Sequence, residues 1–348
     1  MKLSEQFQSV QTMTATRSIA GFTVPAIGLG CMNLSHAYGQ PPSAEDGERL
    51  LLTALDLGVT LFDTAALYGF GQNETLVGRV LEAHRGRIVL CSKGGMTGQP
   101  VGPGGALQRV IDGRPEAIQR DCDDSLRRLQ TDVIDLYYLH RWDKAVPIEE
   151  SVGAMARLVD AGKVRAIGLS EVSAATLRRA HAVHPIAALQ TEYSAWTRNP
   201  EIAVLQACRD IGTTFVAFSP VARGFLTDLL PDAAALDAKD IRRTMPRFQP
   251  PHWEANVALH AQALALAQQA GCTLAQLSLA WLLAQGEHVL PIPGTTQLQH
   301  LRDNSAAASL TVPPEVLGAF SALVNTQTVA GNRYGAQARG EVDTESID

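Results

Sequence analysis

The stretch VTLFDTAALYG, residues 59–69, decides how the chain is read: an apolar, β-rich run ends by presenting Asp63 and Tyr68 together, with Gly69 directly behind. Such runs recur. Together with AIGLGCM (26–32), RIVLCSK (87–93), VIDLYYLH (133–140), VRAIGLS (164–170), AALQTEYS (187–194), TTFVAFS (213–219) and HVLPIPG (288–294), they make eight. Their nearly continuous apolarity suits strands covered on both faces, as in a parallel sheet.

The segments between the runs carry helix punctuation. Ser43 with Asp46 three residues on marks an N-terminus, Leu50, Leu51, Ala54 and Leu55 form an apolar stripe, and Gly58 sits where a C-terminal cap belongs. Pro115 suits a first helical position, and a helix over 148–161 stops at Gly162. Eight strand and helix units in sequence predict a closed (β/α)8 TIM barrel, since right-handed crossovers bury both faces and leave no sheet edge. A doubly wound open sheet is the runner-up. Its usual fingerprint is weak here, because Gly28 and Gly30 in IGLGCMNLS lack a third glycine and a helix directly behind.

Residues 94–114 and 221–253 interrupt the repeat and read as long rim loops after strands 3 and 7. The expected organisation is one domain over 1–348, its barrel at about 20–320 and its C-terminal tail at 327–348 a substrate-covering loop or a frayed end. A 46% hydrophobic, 18% charged chain can bury a large core. Its first twenty residues lack the apolar stretch of a signal peptide, no segment approaches the roughly 20 apolar residues of a membrane span, and the expected location is cytoplasmic. A net charge of −6 without a basic face argues against nucleic acid. Five scattered cysteines suggest buried thiols, neither a disulfide framework nor a metal pair.

In a (β/α)8 barrel, chemistry collects at the C-terminal strand ends. Asp63 and Tyr68, Lys93, and His140 are contributed there by the second, third and fourth strands. A phenol ionises near about 10 and donates a proton poorly at neutral pH unless a cation favours the phenolate. Lys93 can supply that cation, Asp63 can fix Lys93, and His140 can bond the oxygen that receives the proton. The set suits a carbonyl that becomes an alcohol.

DTAALYG with GQNETLVGRVL, SKGG, DLYYLHRWD, GKVRAIGLSE, LQTEYS, FSPVARGFLT and PIPGTT resembles the aldo-keto reductase superfamily over residues 20–320. That resemblance implies an NAD(P)H-dependent oxidoreductase reducing aldehydes or ketones, with Tyr68 as general acid and Asp63, Lys93 and His140 completing a tetrad. It also implies a nicotinamide dinucleotide across the rim, held by Ser170, Glu171 and Gln190, stacked on Phe218, and wrapped by Ser219, Val221, Arg223 and Gly224. Gly294, Thr295, Thr296, His300 and Asn304 would take its far end.

Two departures stand out. Glu171 replaces the asparagine of many relatives, so a carboxamide contact there must use an acceptor alone. After the PGT turn, TTQLQHLRDN offers Thr296, Gln297, His300 and Arg302 where NADPH-preferring relatives commonly place a cation. NADPH is the expected cofactor, with NADH possible. Met32, Asn33, Tyr38, Trp142 and Phe225 are candidate pocket walls for a small-molecule carbonyl substrate. Two alternatives remain, an alcohol or sugar dehydrogenase working oxidatively and a cofactor-sensing regulatory subunit. A metal hydrolase is disfavoured, as the strand ends offer His140 without further ligands. Oligomeric state is not readable.

Overall fold

A computed structural model describes residues 15–35, 37–102 and 105–347 of the chain. Eight parallel strands form one sheet: β1 (Leu29–Gly30), β2 (Leu61–Asp63), β3 (Val89–Gly94), β4 (Ile134–Leu139), β5 (Val164–Ser170), β6 (Ile186–Glu192), β7 (Thr214–Phe218) and β8 (Val289–Pro291). They are ordered as in the sequence, each hydrogen-bonded to its neighbour. The barrel closes where the amides of Gly28 and Gly30 donate to the carbonyls of Pro291 (3.0 Å) and Pro293 (3.2 Å). The runner-up open sheet is thereby excluded.

The closure also explains the two glycines. A Cβ on Gly30 would sit 2.8 Å from the carbonyl oxygen of Ile292, so the seam needs a residue without a side chain. The run expected at 26–32 is correspondingly only a two-residue strand, because its flanks are spent on the seam.

Inside the barrel, Leu61, Val89, Cys91, Leu136, Tyr138, Val216 and Leu290 pack together. An antiparallel hairpin of Thr16–Ile19 and Phe22–Pro25 adds Ile19 and Val24 to that cluster. A larger cluster fills the layer between strands and helices, with Leu50 and Leu51 of the helix Ala44–Asp56 among its members. Ser43 caps that helix by accepting the Asp46 amide (3.1 Å), and Pro115 opens the helix Pro115–Leu129. The segment at 148–161 is helical over Ile148–Asp160, and Gly162 leaves it at φ 71°. All five cysteines are free thiols, four buried and Cys272 half-buried.

The insertions differ from plain loops. After β3 the chain makes a hairpin of Met96–Val101 with Ala106–Ile111. After β7 it runs through short 3-10 turns into an additional helix, His252–Gln269. The tail is ordered rather than frayed. It ends in a five-residue helix, Ala336–Gly340, then a bridge between Asp343 and Val172, and the Asp343 carboxylate accepts the amide and hydroxyl of Ser173 at the start of the helix Ala174–Val183. Among the described residues, no helix is long and apolar enough to cross a membrane.

Candidate active site

The ends of β2, β3 and β4 bring the four expected catalytic groups together. Asp63 closes β2, Lys93 is the penultimate residue of β3, and His140 follows β4, its amide donating to the Gly94 carbonyl at 2.9 Å. Tyr68 reaches them from a tight turn in which Gly69, Phe70 and Gly71 all have positive φ. A Cβ on Gly69 would meet Ser35 at 3.1 Å, so both the positive φ and the tight space favour glycine directly behind the tyrosine.

Lys93 is the hub. Its ammonium pairs with Asp63 Oδ1 and donates to the Thr64 carbonyl at 2.8 Å and to the Tyr68 hydroxyl at 3.2 Å. The far carboxylate oxygen of Asp63 accepts from Gln190 Nε2 at 2.7 Å. The His140 ring stands edge-on to the Tyr68 ring, 5.9 Å between centroids. Below them, the Thr64 hydroxyl donates to Asn73 (2.6 Å), whose amide donates to the Cys31 carbonyl (2.8 Å), fixing the turn after β2 to the chain after β1.

A lysine only 1% exposed loses hydration that would keep it charged. Burial pulls its pKa down, but Asp63 and the Tyr68 oxygen outweigh burial, so the net shift is upward and Lys93 stays protonated. For Tyr68 the balance corrects the sequence expectation: burial raises the phenol pKa, Lys93 opposes that rise without overcoming it, and the net direction is up. The phenol therefore holds its proton at neutral pH beside a cation ready to stabilise its loss.

These groups lie at one end of a cavity of about 1070 Å³. Of the residues expected to hold a dinucleotide, Ser170, Gln190, Phe218, Ser219, Val221, Arg223, Gly224, Gly294, Thr295, Thr296, His300 and Asn304 all line it, as do Met32, Asn33 and Tyr38. Four expected residues are not in the lining. Glu171 is turned away from the cavity, where its carboxylate accepts the Glu192 amide (2.8 Å) and pairs with Arg333 of the tail. Phe225 is fully buried against Trp196, Trp253 and His260. Trp142 lies outside the lining, donating its indole N–H to the Val146 carbonyl at 2.9 Å. Arg302 likewise does not reach the cavity, whereas Gln297 and His300 do.

Arg223 is already engaged, donating to Glu192 (2.6 Å) and to the Tyr334 hydroxyl (3.2 Å). Its loop departs from ordinary backbone geometry, with Ser219, Ala222 and Arg223 all at positive φ without being glycine. Strain of about 1–3 kcal/mol per such residue is tolerated mainly where function fixes the backbone. Of the two readings of the tail, the covering loop is the one that fits, since Tyr334, Gln337 and Glu341 line the cavity; sequence reasoning missed Arg141, which stands beside His140. The adjacency of Arg141 to His140 was the one available signal for it.

A family model for the aldo/keto reductase family matches residues 26–325. The chain belongs to that family. The aldo-keto reductase yakc [NADP(+)] of Schizosaccharomyces pombe is 41% identical over 337 residues, 94% of this chain and 97% of that protein. Among solved structures, a glycerol dehydrogenase from Gluconobacter oxydans superposes with a TM-score of 0.82 at 27% identity, covering 92% of this chain and 98% of its own. An aldo-keto reductase from Klebsiella pneumoniae in complex with NADPH gives a TM-score of 0.71 at 28% identity, covering 92% of this chain and 99% of its own.

Proposed function

We propose that the protein reduces aldehydes or ketones to alcohols with NADPH, and that Tyr68 is the proton donor. The observation that carries this reading is the contact of a buried, charge-paired Lys93 with the Tyr68 hydroxyl at 3.2 Å on the wall of a large cavity. The relatives named for NADP(+) and crystallised with NADPH support the cofactor.

The residues fit a nicotinamide dinucleotide. The cavity runs from Asp63 and Tyr68 past Ser170, Gln190 and the Phe218 ring to the loop at 219–224 and on to Thr296 and Asn304. The helix Leu298–Ala306 opens there without a side-chain cap, so its first amides are available to an anion. When bound, the nicotinamide supplies a hydride to the carbonyl carbon.

This chain manages the proton. A carbonyl oxygen lodged between Tyr68 and His140 gathers negative charge as its carbon is attacked, and the phenol proton moves onto it. The phenolate left behind is stabilised by Lys93, and Asp63 keeps Lys93 charged while Gln190 orients Asp63. General acid catalysis of this kind contributes about 10²–10⁴-fold in rate. Run backwards, the same groups accept a proton from an alcohol, the direction named for the Gluconobacter relative.

The test is oxidation of NADPH and of NADH, in parallel, with benzaldehyde under identical conditions. Consumption with NADPH preferred supports the reading; Thr296, Gln297 and His300, which line the cavity, are the side chains it offers a 2′-phosphate. Cofactor binding without consumption of either would overturn it in favour of a cofactor sensor.

A further inference from the structure

Four arginines line the cavity: Arg109, Arg141, Arg223 and Arg242. Three are neutralised on the spot. Arg109 pairs with Glu341 of the tail, Arg223 with Glu192 at 2.6 Å, and Arg242 with Asp240 at 2.7 Å. Arg141 has no carboxylate within ion-pair distance among the described residues. Its bonds run from Nη1 alone, to the His140 carbonyl at 2.7 Å and to the Ser170 hydroxyl at 3.1 Å.

Two bonds from one nitrogen fix the guanidinium while leaving Nε and Nη2 uncommitted. A guanidinium edge with two parallel donors matches the two oxygens of a carboxylate, and such pairs add both strength and orientation. Lys93 cannot serve that purpose, because Asp63 already balances it. Among the arginines of the lining, the charge left without a carboxylate is therefore a single positive one, next to His140, which suits a monoanion better than a phosphate dianion.

We propose that Arg141 selects carbonyl substrates that carry a carboxylate, holding that group while the carbonyl faces Tyr68 and His140. The inference rests on the carbonyl-reductase reading for the second half of that sentence, and on the pairing of the cavity's arginines for the first.

The experiment separates the two. Dissociation constants are measured on the NADP⁺-saturated protein for 2-, 3- and 4-carboxybenzaldehyde and for the methyl ester of each, and benzaldehyde turnover is followed separately. The expected result is an acid bound at least about tenfold more tightly than its ester for the best-fitting isomer. In R141Q that ratio falls to within about twofold of one, and R141K, which keeps the charge without the fork, retains part of it. Equal binding of acid and ester by the wild-type protein for all three isomers, or an undiminished preference in R141Q, overturns the proposal. Should R141Q not fold, R141K decides: a ratio unchanged from wild type assigns the preference elsewhere. Absence of benzaldehyde turnover alongside a clear acid preference would instead overturn the carbonyl-reductase reading and leave the anion site standing.

Discussion

The protein holds two buried charge clusters at its strand ends, and they are built differently. At β2, β3 and β4, Asp63, Lys93 and Tyr68 come from within 31 consecutive residues and face a cavity. At β5, β6 and β7, Glu171 and Glu192 are answered by Arg333, Arg223 and Tyr334, two of them from the tail. The first cluster leaves a protonated phenol beside an ammonium, a state that chemistry can use. The second leaves both carboxylates bonded and both arginines partnered within the protein, so it serves to fasten the tail across the rim. A strand-end carboxylate with a cation is thus not by itself a catalytic sign; the proton poised on Tyr68 is what separates the two.

Removing the cation from either cluster should break it, with different consequences. Lys93→Met strands Asp63 in a 3% exposed position, an uncompensated buried charge that costs about 3–5 kcal/mol. Urea unfolding should show that loss, and carbonyl turnover should collapse with it. Arg333→Met strands Glu171 in the same way, but the loss should be largely relieved in the double variant Glu171→Gln, Arg333→Met, because breaking one partner is worse than replacing both. A double variant as unstable as the single one would show that the tail is held by something else.

The two clusters also differ in their response to pH. Glu192 is buried, which pushes its pKa up, but Arg223 and Arg333 more than offset burial and its folded pKa is lowered. Its contribution to stability is therefore complete above the unfolded value of about 4.3 and is lost as pH falls through the lower folded value. Lys93, with its pKa raised, contributes stability that is complete below about 10.4 and is lost only in strong alkali. Acid titration of the unfolding free energy should accordingly lose up to about 1.4 kcal/mol per pH unit of slope in Glu192→Gln relative to wild type.

Smaller effects are expected further out. Tyr334→Phe removes a hydroxyl that donates to Glu192 at 3.1 Å, worth about 1.5–3 kcal/mol for a bond to a charged group. Arg109→Gln breaks an ion pair whose arginine is 42% exposed, and thermal unfolding should move by less than about 1 kcal/mol.

How much could be read from the sequence follows the same division. The first cluster was legible because each member ends an apolar run, and a barrel sends all such ends to one rim. All eight runs become strands within one or two residues of their expected limits or inside them, as at β5, which spans Val164–Ser170. The tail was legible only as a choice between a covering loop and a frayed end, since it has no periodic apolar pattern and its polar anchors are strand ends more than a hundred residues away, such as Glu171 for Arg333. Aromatic residues misled for a related reason: a large ring near the rim can face the cavity or support it, and Phe225 supports it under Trp196. Glu171 was misplaced because its partner, Arg333, lies in that tail, and nothing in the sequence pairs the two.

The central claim is that the phenol of Tyr68 gives its proton to the carbonyl oxygen. Tyr68→Phe keeps the ring and removes only the donor, so the direct measurement is the single-turnover rate of aldehyde reduction by this variant, with NADPH affinity measured alongside. The account predicts a fall of about 10²–10⁴-fold in rate with cofactor affinity within a factor of about three. A rate within tenfold of wild type, at full cofactor occupancy, would contradict it and move the proton donor to another group at the cavity wall.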